Sequence, residues 1–359
     1  MRLRFSLILV TYTLITSCTS NDSKNPFDFA SKEHLVYSLK GKKYTFDVIL
    51  SPYKIERKNE FLILVENRKV STEQPLIHIL RCGNLEYVAS KGVNGLGPYE
   101  ITDADVFDHG FNDSTFWVNS TMSKKMAEFS LYDLSKLAIR EIRLPENMAT
   151  AFKSHFASDS TFISLATNDS ARLIEYNRNG EKIAGYGRWK KVPNQPDLSN
   201  YMLQNIYGGW FKKDPYDSLI LKALAYVDRI EIFDLRTKSF TIINGPRKEI
   251  PPFQILGTGA SAIAAYSRDI KFGHRDITAG KKYLYDLYGG FSEEEYLQTS
   301  KLAETIYVIS KKGDVKAKLN LDRSLRTIAV NEELGKLYGI TTDENPGIAV
   351  FDIPRELLQ

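Results

Sequence analysis

Short runs of apolar or alternating apolar and polar residues recur along the chain from about residue 34 onward, whereas long segments with the 3.6-residue period of a helix are almost absent. These runs come in pairs, each opened by a polar turn rich in Gly, Asn, Asp and Lys. The first runs of the pairs are Phe61 to Val65, Thr115 to Val118, Thr161 to Leu165, Leu219 to Leu221, Lys282 to Tyr285 and Lys336 to Ile340. The pattern predicts an all-β body.

The pairs form an irregular repeat. Their opening turns lie near Asn59, Asp113, Asp159, Asp217, Gly280 and Gly335, which are 46 to 63 residues apart. A period near 50 residues with several strands in each unit is typical of β-propeller blades. The fold class that we predict is therefore an all-β, six-bladed β-propeller with four-stranded antiparallel blades, formed as a single domain by residues 33–359.

Each interval also has room for an outer strand and for an inner strand that lines the central channel. The predicted inner strands are Ile101 to Phe107, Ala149 to Phe156, Leu203 to Tyr207, Ala262 to Ile270 and Leu325 to Val330. The last blade has no fourth strand after Asp352. We therefore predict that an N-terminal strand closes the ring, with His34 to Leu39 as the candidate, because closure removes an exposed sheet edge.

The N-terminal residues have the order of a secretory signal peptide: basic Arg2 and Arg4, an apolar run, and then small polar residues up to Cys18. The run is too short to span a bilayer as a helix, which takes about 20 residues. Leu14 to Cys18 resembles a bacterial lipobox, which predicts a signal peptide at 1–17 and lipidation of Cys18. An ordinary cleaved signal peptide, with Cys18 incidental, is the alternative.

Residues 18–32 are rich in Ser, Asn, Asp and Lys, which predicts a flexible tether between an anchor and a folded body. No Asp follows Cys18 directly, and in Gram-negative lipoproteins this favours the outer membrane, with the protein facing either the periplasm or the cell surface. With Cys18 lipidated, Cys82 has no disulfide partner. Cys82 follows an apolar stretch, and we expect it to be a small core residue.

The combination of lipobox, polar spacer and six degenerate blades resembles the TolB-like six-bladed propeller lipoproteins of Gram-negative bacteria. The turn Gly95-Leu-Gly-Pro-Tyr-Glu100 is similar to the G-x-G-P-x-E turns of that group, and so is the run from Gly280 to Gly290, followed by Thr305 to Ile309 and Gly313-Asp. The resemblance implies a propeller fold, an exported location and a binding or assembly role. None of these motifs is catalytic.

Charge and composition exclude several classes of protein. The chain has 48 basic and 44 acidic residues among 359, a balance too even for a nucleic-acid binder. No P-loop sequence follows Gly92 to Gly97, so we interpret this segment as a turn that uses glycine for positive φ. Asp103, Asp105, Asp108 and His109 form the densest group of metal donors, with Asp103 and Asp105 on one side of a strand. A channel cation there is the alternative to solvated or salt-bridged carboxylates; we predict no metal and no cofactor.

The candidate binding residues are polar side chains on the predicted inner strands, at the channel mouth: Asp105, His155, Asn205, Tyr266, Arg268 and Arg326. Their alternative role is to line the channel and join blades. The loop from Arg188 to Leu198 combines aromatic and basic residues, so Trp189, Lys190 and Lys191 are candidate partner contacts. Ser292 and Glu295 match a capping box, which predicts a short helix to about Leu302 as an insertion in the fifth blade.

Two functions from different classes fit these observations. The preferred hypothesis is a monomeric, non-catalytic lipoprotein, anchored through Cys18, that binds a protein, peptide or glycan. The rival is a periplasmic hydrolase or lyase with its site at one mouth of the channel. No G-x-S-x-G elbow or spaced metal-ligand motif favours catalysis.

Overall fold

The computed structural model describes residues 34–67, 73–195, 197–247 and 250–359, and these residues form a six-bladed propeller. The signal peptide, Cys18 and the tether lie outside the described residues. Two short N-terminal strands, β1 (Leu35–Leu39) and β2 (Lys42–Tyr44), precede the first blade. No helix of the described ranges is long and apolar enough to cross a membrane.

The first three blades are regular four-stranded antiparallel sheets. Blade one consists of β3 (Pro52–Lys58), β4 (Phe61–Glu66), β5 (Ile77–Arg81) and β6 (Tyr87–Lys91). Blade two consists of β7 (Val106–Asp108), β8 (Thr115–Ser120), β9 (Lys125–Ser130) and β10 (Arg140–Arg143). A 3₁₀ turn, η1 (Glu146–Met148), leads into blade three, which consists of β11 (Ala151–Phe156), β12 (Thr161–Ala166), β13 (Ala171–Asn177) and β14 (Lys182–Arg188).

Insertions separate the next two blades. Helix α1 (Asn200–Ile206) precedes blade four, whose strands are β15 (Gly209–Lys213), β16 (Leu219–Leu224), β17 (Arg229–Asp234) and β18 (Ser239–Asn244). A separate hairpin follows, with β19 (Phe253–Leu256), η2 (Gly259–Ser261) and β20 (Ile263–Tyr266). Blade five contains β21 (His274–Ala279), β22 (Tyr283–Gly290), helix α2 (Glu293–Thr299), β23 (Ala303–Ser310) and β24 (Val315–Leu321).

The ring closes in blade six, where both ends of the fold meet. Its strands β25 (Leu325–Asn331), β26 (Lys336–Thr341) and β27 (Ile348–Asp352) come from the C-terminal part, which ends in helix α3 (Arg355–Leu358). The fourth strand is β2, antiparallel to β27 with Tyr44 opposite Ile348. An N-terminal strand therefore closes the propeller, as predicted.

The closing strand is not the one that we predicted. His34 to Leu39 largely coincides with β1, which instead pairs in parallel with β24 as a fifth strand of blade five. The chain then crosses to blade six at Gly41, where a Cβ atom would lie 2.5 Å from the ring of Phe351. Only glycine permits this close approach, and the next residues supply the closing strand.

Apolar side chains from neighbouring blades form the core. One cluster joins Phe61 and Ile63 of blade one to Phe116 and Phe129 of blade two, and equivalent clusters lie between other neighbouring blades. The second strands of blades one to four are almost completely buried because other sheets cover both of their faces. Cys82 is also buried, at 3% exposure, as expected for a small core residue.

The two ends of the channel differ in their loops. In a four-stranded antiparallel blade, the connection to the next blade and the link between the second and third strands emerge at the same end. Helix α1, the β19–β20 hairpin and helix α2 all occupy such connections, and we call this end the insertion face. Turns between the first and second strands, such as Asn59–Glu60, and links between the third and fourth strands form the opposite end, the turn face.

The insertions contact one another on their face. The Asn205 side chain of α1 accepts a hydrogen bond of 2.9 Å from the Ala264 backbone N–H in the hairpin. The backbone N–H of Glu294 donates to the carbonyl of Arg268, 3.0 Å away, just after the hairpin. Helix α2 begins with the predicted capping box between Ser292 and Glu295, although it ends at Thr299 rather than Leu302. The three insertions therefore form one connected border along the blade-four and blade-five side of this mouth.

Candidate functional site at the insertion-face mouth

The middle of the channel contains an ionic bridge between three blades. Lys212 Nζ on β15 lies 2.9 Å from Glu56 Oε1 on β3 and 2.9 Å from Asp276 Oδ1 on β21. Burial raises the pKa of both carboxyls, an effect that Lys212 opposes. Burial alone would lower the pKa of Lys212, but the two carboxylates raise it overall. This cation is fully engaged, and its role is to join blades.

Nearer the insertion face, Tyr53 is the centre of a group of cations. Its ring is 39% exposed, and it lies 5.7 Å from Lys54 Nζ and 5.9 Å from the Arg326 guanidinium. Arg326 also contacts the ring of Tyr296, at 5.8 Å, and donates a 2.8 Å hydrogen bond to its hydroxyl. Strands β3 and β25 and helix α2 thus hold Arg326 in one orientation against two aromatic rings.

Arg275 on β21 is the second arginine of this mouth. Its guanidinium lies 5.0 Å from the Trp210 ring and 4.4 Å from the Phe272 ring. Its Nε atom is buried and has no hydrogen-bond partner, and no carboxylate of the described residues forms an ion pair with it. Burial, reinforced by the charge of Arg326, lowers the pKa of Arg275 to about 10. Two arginines of neighbouring blades therefore face the same mouth without an anion between them.

Two lysines continue the positive charge into the channel. Lys54 donates a hydrogen bond to the backbone carbonyl of Asp105 and lies 3.9 Å from its carboxylate. Burial, together with the nearby Lys153, lowers the pKa of Lys54 to about 8. Lys153 on β11 forms no hydrogen bond or ion pair with any described residue, and burial lowers its pKa although the charge of Asp105 opposes this. Asp105 is thus an acid near both lysines, and Glu56 also lies near Lys54.

Neutral hydrogen-bonding groups at the same mouth also lack partners. Trp210 Nε1 and Tyr266 Oη are buried and form no hydrogen bond in the described chain. The ring of Tyr266 stacks on that of Tyr226 at 4.1 Å. Burial raises the pKa of Tyr266, so its hydroxyl stays protonated and can donate. The mouth therefore offers both charged and neutral donors.

The sequence-predicted residues have three kinds of position. Asp105 and Arg326 lie at the insertion-face mouth, on or beside inner strands. His155 is fully buried, with Nδ1 3.0 Å from Asp108 Oδ2, so it joins blades two and three and does not line an open mouth. Asn205, Tyr266 and Arg268 lie on or beside the insertions and not on inner strands.

The error for the last three residues comes from the inner strands of blades four and five. Leu203 to Tyr207 belongs mostly to helix α1, and Ala262 to Ile270 contains hairpin strand β20. The true inner strands are β15 and β21, which supply Trp210 and Arg275. Sequence reasoning therefore missed these two residues, together with Tyr53 and Lys153. A helix N-cap at Ser199 was the sequence signal that could have revealed α1; in the structure the Ser199 side chain accepts a hydrogen bond from the backbone N–H of Met202.

The three predicted contact residues of the loop differ in their exposure. Trp189 is 8% exposed, donates a 2.7 Å hydrogen bond to the carbonyl of Asp169, and stacks on Tyr207 with ring centroids 6.1 Å apart. Its burial is incompatible with the predicted surface contact, because the indole has both an acceptor and an aromatic partner inside the fold. Lys190 and Lys191 are exposed.

The turn from Gly95 to Glu100 contains its own carboxylate. Glu100 Oε2 accepts a 2.8 Å hydrogen bond from the backbone N–H of Gly97, which places negative charge where a phosphate loop would hold its ligand. Gly92 has the expected positive φ of 78°. At Gly95 and Gly97 the glycine has a different role, because a side chain at either position would displace the Glu100 carboxylate from its place in the turn.

The predicted group of metal donors is dispersed. Asp103 accepts hydrogen bonds from the backbone N–H groups of Thr121 and Met122, at 2.7 and 3.0 Å. Asp108 instead contacts His155, and β7 begins only at Val106, so Asp103 and Asp105 do not share one side of a strand. No group of three or more His, Cys, Asp or Glu side chains in the described ranges is arranged to hold a metal ion.

The turn-face mouth contains a cavity of about 650 Å³, and the cations in and beside it contact other blades, although Arg57 Nε is buried without a hydrogen-bond partner among the described residues. Lys58 donates to the carbonyls of His109 and Asn112, and Lys213 donates to that of Phe156 at 2.7 Å. Arg57 donates to the hydroxyl of Tyr216. These contacts connect turns of different blades, so we interpret this mouth as structural.

The comparisons with known proteins agree with the architecture. The family model described as TolB-like 6-blade propeller-like matches residues 27–333, and the chain belongs to this family. A DUF4221 family member from Bacteroides vulgatus has a similar structure, with TM-score 0.54 and 12% identity over 89% of this chain and 96% of that one. A putative exported protein from Bacteroides fragilis has TM-score 0.52 and 11% identity, over 88% and 98%. At these identities the likeness concerns the fold, and no curated protein matches the sequence.

Proposed function

We propose that this protein is an exported lipoprotein, anchored in the outer membrane through Cys18, whose propeller binds a protein, peptide or glycan at the insertion face without catalysing a reaction. The observation that supports this most strongly is the asymmetry of the ring. Helix α1, the β19–β20 hairpin and helix α2 surround one mouth, and unpaired cations and donors lie inside it. Loops on a rigid scaffold are where binding residues concentrate.

Membership of the TolB-like family and the exported neighbour from Bacteroides fragilis support the proposed location. The lipobox-like segment supports the anchor, because several acyl chains together hold a protein firmly to a bilayer. The non-catalytic role is supported by the chemistry of the mouth, whose described polar side chains are mainly Arg, Lys, Tyr and Trp. Of the acids near the mouth, Asp105 is engaged by Lys54, and Glu293 on α2 lies 3.8 Å from Arg268.

The anchor is tested by replacing its proposed attachment site. Cys18→Ala should abolish metabolic labelling with radioactive palmitate and move the protein from the membrane to the soluble fraction. Cys82→Ala is the matched control and should leave both unchanged, because Cys82 lies in the core. Labelling and membrane retention that survive Cys18→Ala would contradict the anchor.

The binding face is tested by photo-cross-linking in living cells. A benzoylphenylalanine residue at Leu297, 63% exposed on helix α2, should form a discrete cross-linked product. The same residue at Leu334, 48% exposed on the turn face, is the control and should form none. Equal cross-linking at both positions, or cross-linking at Leu334 alone, would contradict the proposal that the insertion face is the binding face.

A further inference from the structure

Resting on the proposed function, we infer that the insertion-face mouth binds the carboxylate of an acidic sugar, with Arg275 and Arg326 as the anion-binding residues and Trp210 Nε1 and Tyr266 Oη as hydrogen-bond donors to the sugar oxygens. Arg275 and Arg326 come from adjacent blades and face one mouth. In the described chain, neither forms an ion pair with a carboxylate. Like charges placed together without a counter-ion are unfavourable unless an anion joins them.

The two guanidinium groups are held ready for an anion. Arg275 lies against the rings of Trp210 and Phe272, and Arg326 lies against those of Tyr53 and Tyr296. Aromatic support fixes the plane of each guanidinium, so little side-chain entropy remains to be lost on binding. A planar guanidinium matches the two oxygens of a carboxylate by paired hydrogen bonds.

The charge deeper in the channel has the same sign. Lys153 has no ion-pair partner in the described ranges, and Asp105, the nearby acid, is contacted by Lys54. Beyond this point the Lys212 bridge to Glu56 and Asp276 is internally balanced. An anion that enters from the insertion face therefore meets excess positive charge before it reaches the bridge, and charge lined by low-dielectric walls attracts it strongly.

The neutral groups distinguish a sugar from a peptide. Arg275 Nε, Trp210 Nε1 and Tyr266 Oη are all buried without hydrogen-bond partners, and the first two can only donate. An extended peptide brings a fixed backbone N–H donor for each carbonyl acceptor, whereas a sugar acid brings a carboxylate that only accepts and hydroxyl groups that rotate to accept or donate. The half-exposed ring of Tyr53 adds an apolar surface on which a sugar ring can lie.

Titration calorimetry on the detergent-solubilised full-length protein tests this inference with four probes. Glucuronic acid should bind at least tenfold more tightly than glucose, which lacks the charge, and than acetate, which lacks the ring. It should also bind more tightly than the blocked acidic dipeptide acetyl-Glu-Glu-amide. Glucose or acetate binding as well as glucuronic acid would overturn the acidic-sugar assignment, as would the dipeptide binding best or no probe binding at all.

Variants locate the site. Arg275→Gln and Arg326→Gln should each weaken glucuronic acid binding at least tenfold, and the matched control Arg236→Gln, an arginine 67% exposed on the turn face, should leave it unchanged. Arg275→Lys keeps the charge but not the planar fork, so it should lose affinity to a smaller extent than Arg275→Gln and provides a second, milder variant. Unchanged affinity in both glutamine variants would overturn the inference.

Cross-linking at Leu297 separates this inference from the proposed function. A cross-linked product without glucuronic acid binding would refute the sugar site and leave the binding face standing. The absence of both would refute the two proposals together.

Discussion

Cationic side chains surround both mouths of the channel, but their partners differ. On the turn face, Lys58 and Lys213 donate to backbone carbonyls of neighbouring blades, and these contacts fix the turns. On the insertion face, Arg275 and Lys153 have no ion-pair partner in the described chain, and Arg326 contacts only aromatic groups. Under the proposed function, a cation's partners, more than its position, distinguish a structural role from a binding role.

A choice of binding site by cavity size alone would favour the turn face. The cavity of about 650 Å³ lies at the turn face, where Lys58 donates to two backbone carbonyls and Arg57 donates to Tyr216, although Arg57 Nε is buried without a hydrogen-bond partner in the described chain. A ligand there would have to replace contacts between blades. At the insertion face, a ligand would satisfy donors that have no partner, and leaving such donors buried and unpaired costs free energy. The two mouths should therefore respond differently to substitution.

The largest loss of folding stability is expected for a substitution in the channel between the two mouths. Lys212→Met would leave the carboxylates of Glu56 and Asp276 buried without their cation, and breaking a buried ion pair from one side typically costs about 3–5 kcal/mol. Denaturant unfolding measures this loss. The control Lys238→Met removes a partly exposed lysine from Glu175, which keeps hydrogen bonds from Thr161 and Tyr186, and should cost less than about 1 kcal/mol. Equal losses in the two variants would contradict the structural role of Lys212.

A smaller decrease in the free energy of unfolding is expected for a substitution at the turn-face mouth. Lys58→Met keeps the apolar stem but leaves the carbonyls of His109 and Asn112 without their donor. Unsatisfied buried groups cost about 1–3 kcal/mol, and because these two hydrogen bonds are only partly buried we expect a loss at the lower end of that range. The change should appear as a lower midpoint of urea unfolding with an unchanged slope. Full stability in this variant would mean that the turn-face cations do not join the blades.

The same contrast explains what the sequence could and could not predict. The second and third strands of all six blades were predicted because their apolar runs and polar opening turns are local signals. Asp113, Asp159 and Asp217 mark such turns in the sequence, and each lies beside the strand that it introduces. The turn face consists of these short turns.

The insertion face was less predictable because its elements interrupt the repeat. Ala262 to Ile270 has the composition of an inner strand, but part of it pairs within the separate β19–β20 hairpin. The true inner strand, β21, begins only at His274, and Arg275 was missed with it. Arg326 was found because the inner strand of blade six was placed correctly. Which donors lack partners depends on tertiary contacts, and no local pattern encodes them.

The pH dependence of stability offers a finer test of the turn-face mouth. Burial and the nearby charge of Lys58 lower the pKa of His109 to about 3, although Asp108 opposes this and Lys213 and His155 add to it. An unfolded histidine titrates near 6.5. His109 therefore contributes stability that is fully present above about pH 6.5 and is lost as the pH falls towards 3.

The loss can reach about 1.4 kcal/mol for each pH unit below 6.5. We expect a decrease of about 1 kcal/mol in the free energy of unfolding between pH 6.5 and 5.5. His109→Gln, which cannot titrate, should flatten this part of the profile. A profile with the same slope in the wild type and in His109→Gln would show that other groups cause the acid sensitivity.

The smallest change in stability is expected at the insertion-face mouth. Arg275→Gln removes contacts with the Trp210 and Phe272 rings, each worth about 0.5–1 kcal/mol. It also removes a buried charge beside Arg326, which relieves a comparable desolvation and repulsion cost. The two effects oppose each other, so the free energy of unfolding should change by less than about 0.5 kcal/mol, measured in urea at pH 7.

A near-zero change in the free energy of unfolding of Arg275→Gln becomes informative when it is compared with the change in Lys58→Met. If the two cations have different roles, Lys58→Met should destabilise the protein and leave glucuronic acid binding intact, whereas Arg275→Gln should do the reverse. A loss of about 1–3 kcal/mol in Arg275→Gln would place Arg275 among the residues that join blades. The distinction between the two mouths would then fail at Arg275, its central residue, because Arg275 would stabilise the folded protein through contacts that the proposal assigns to ligand binding.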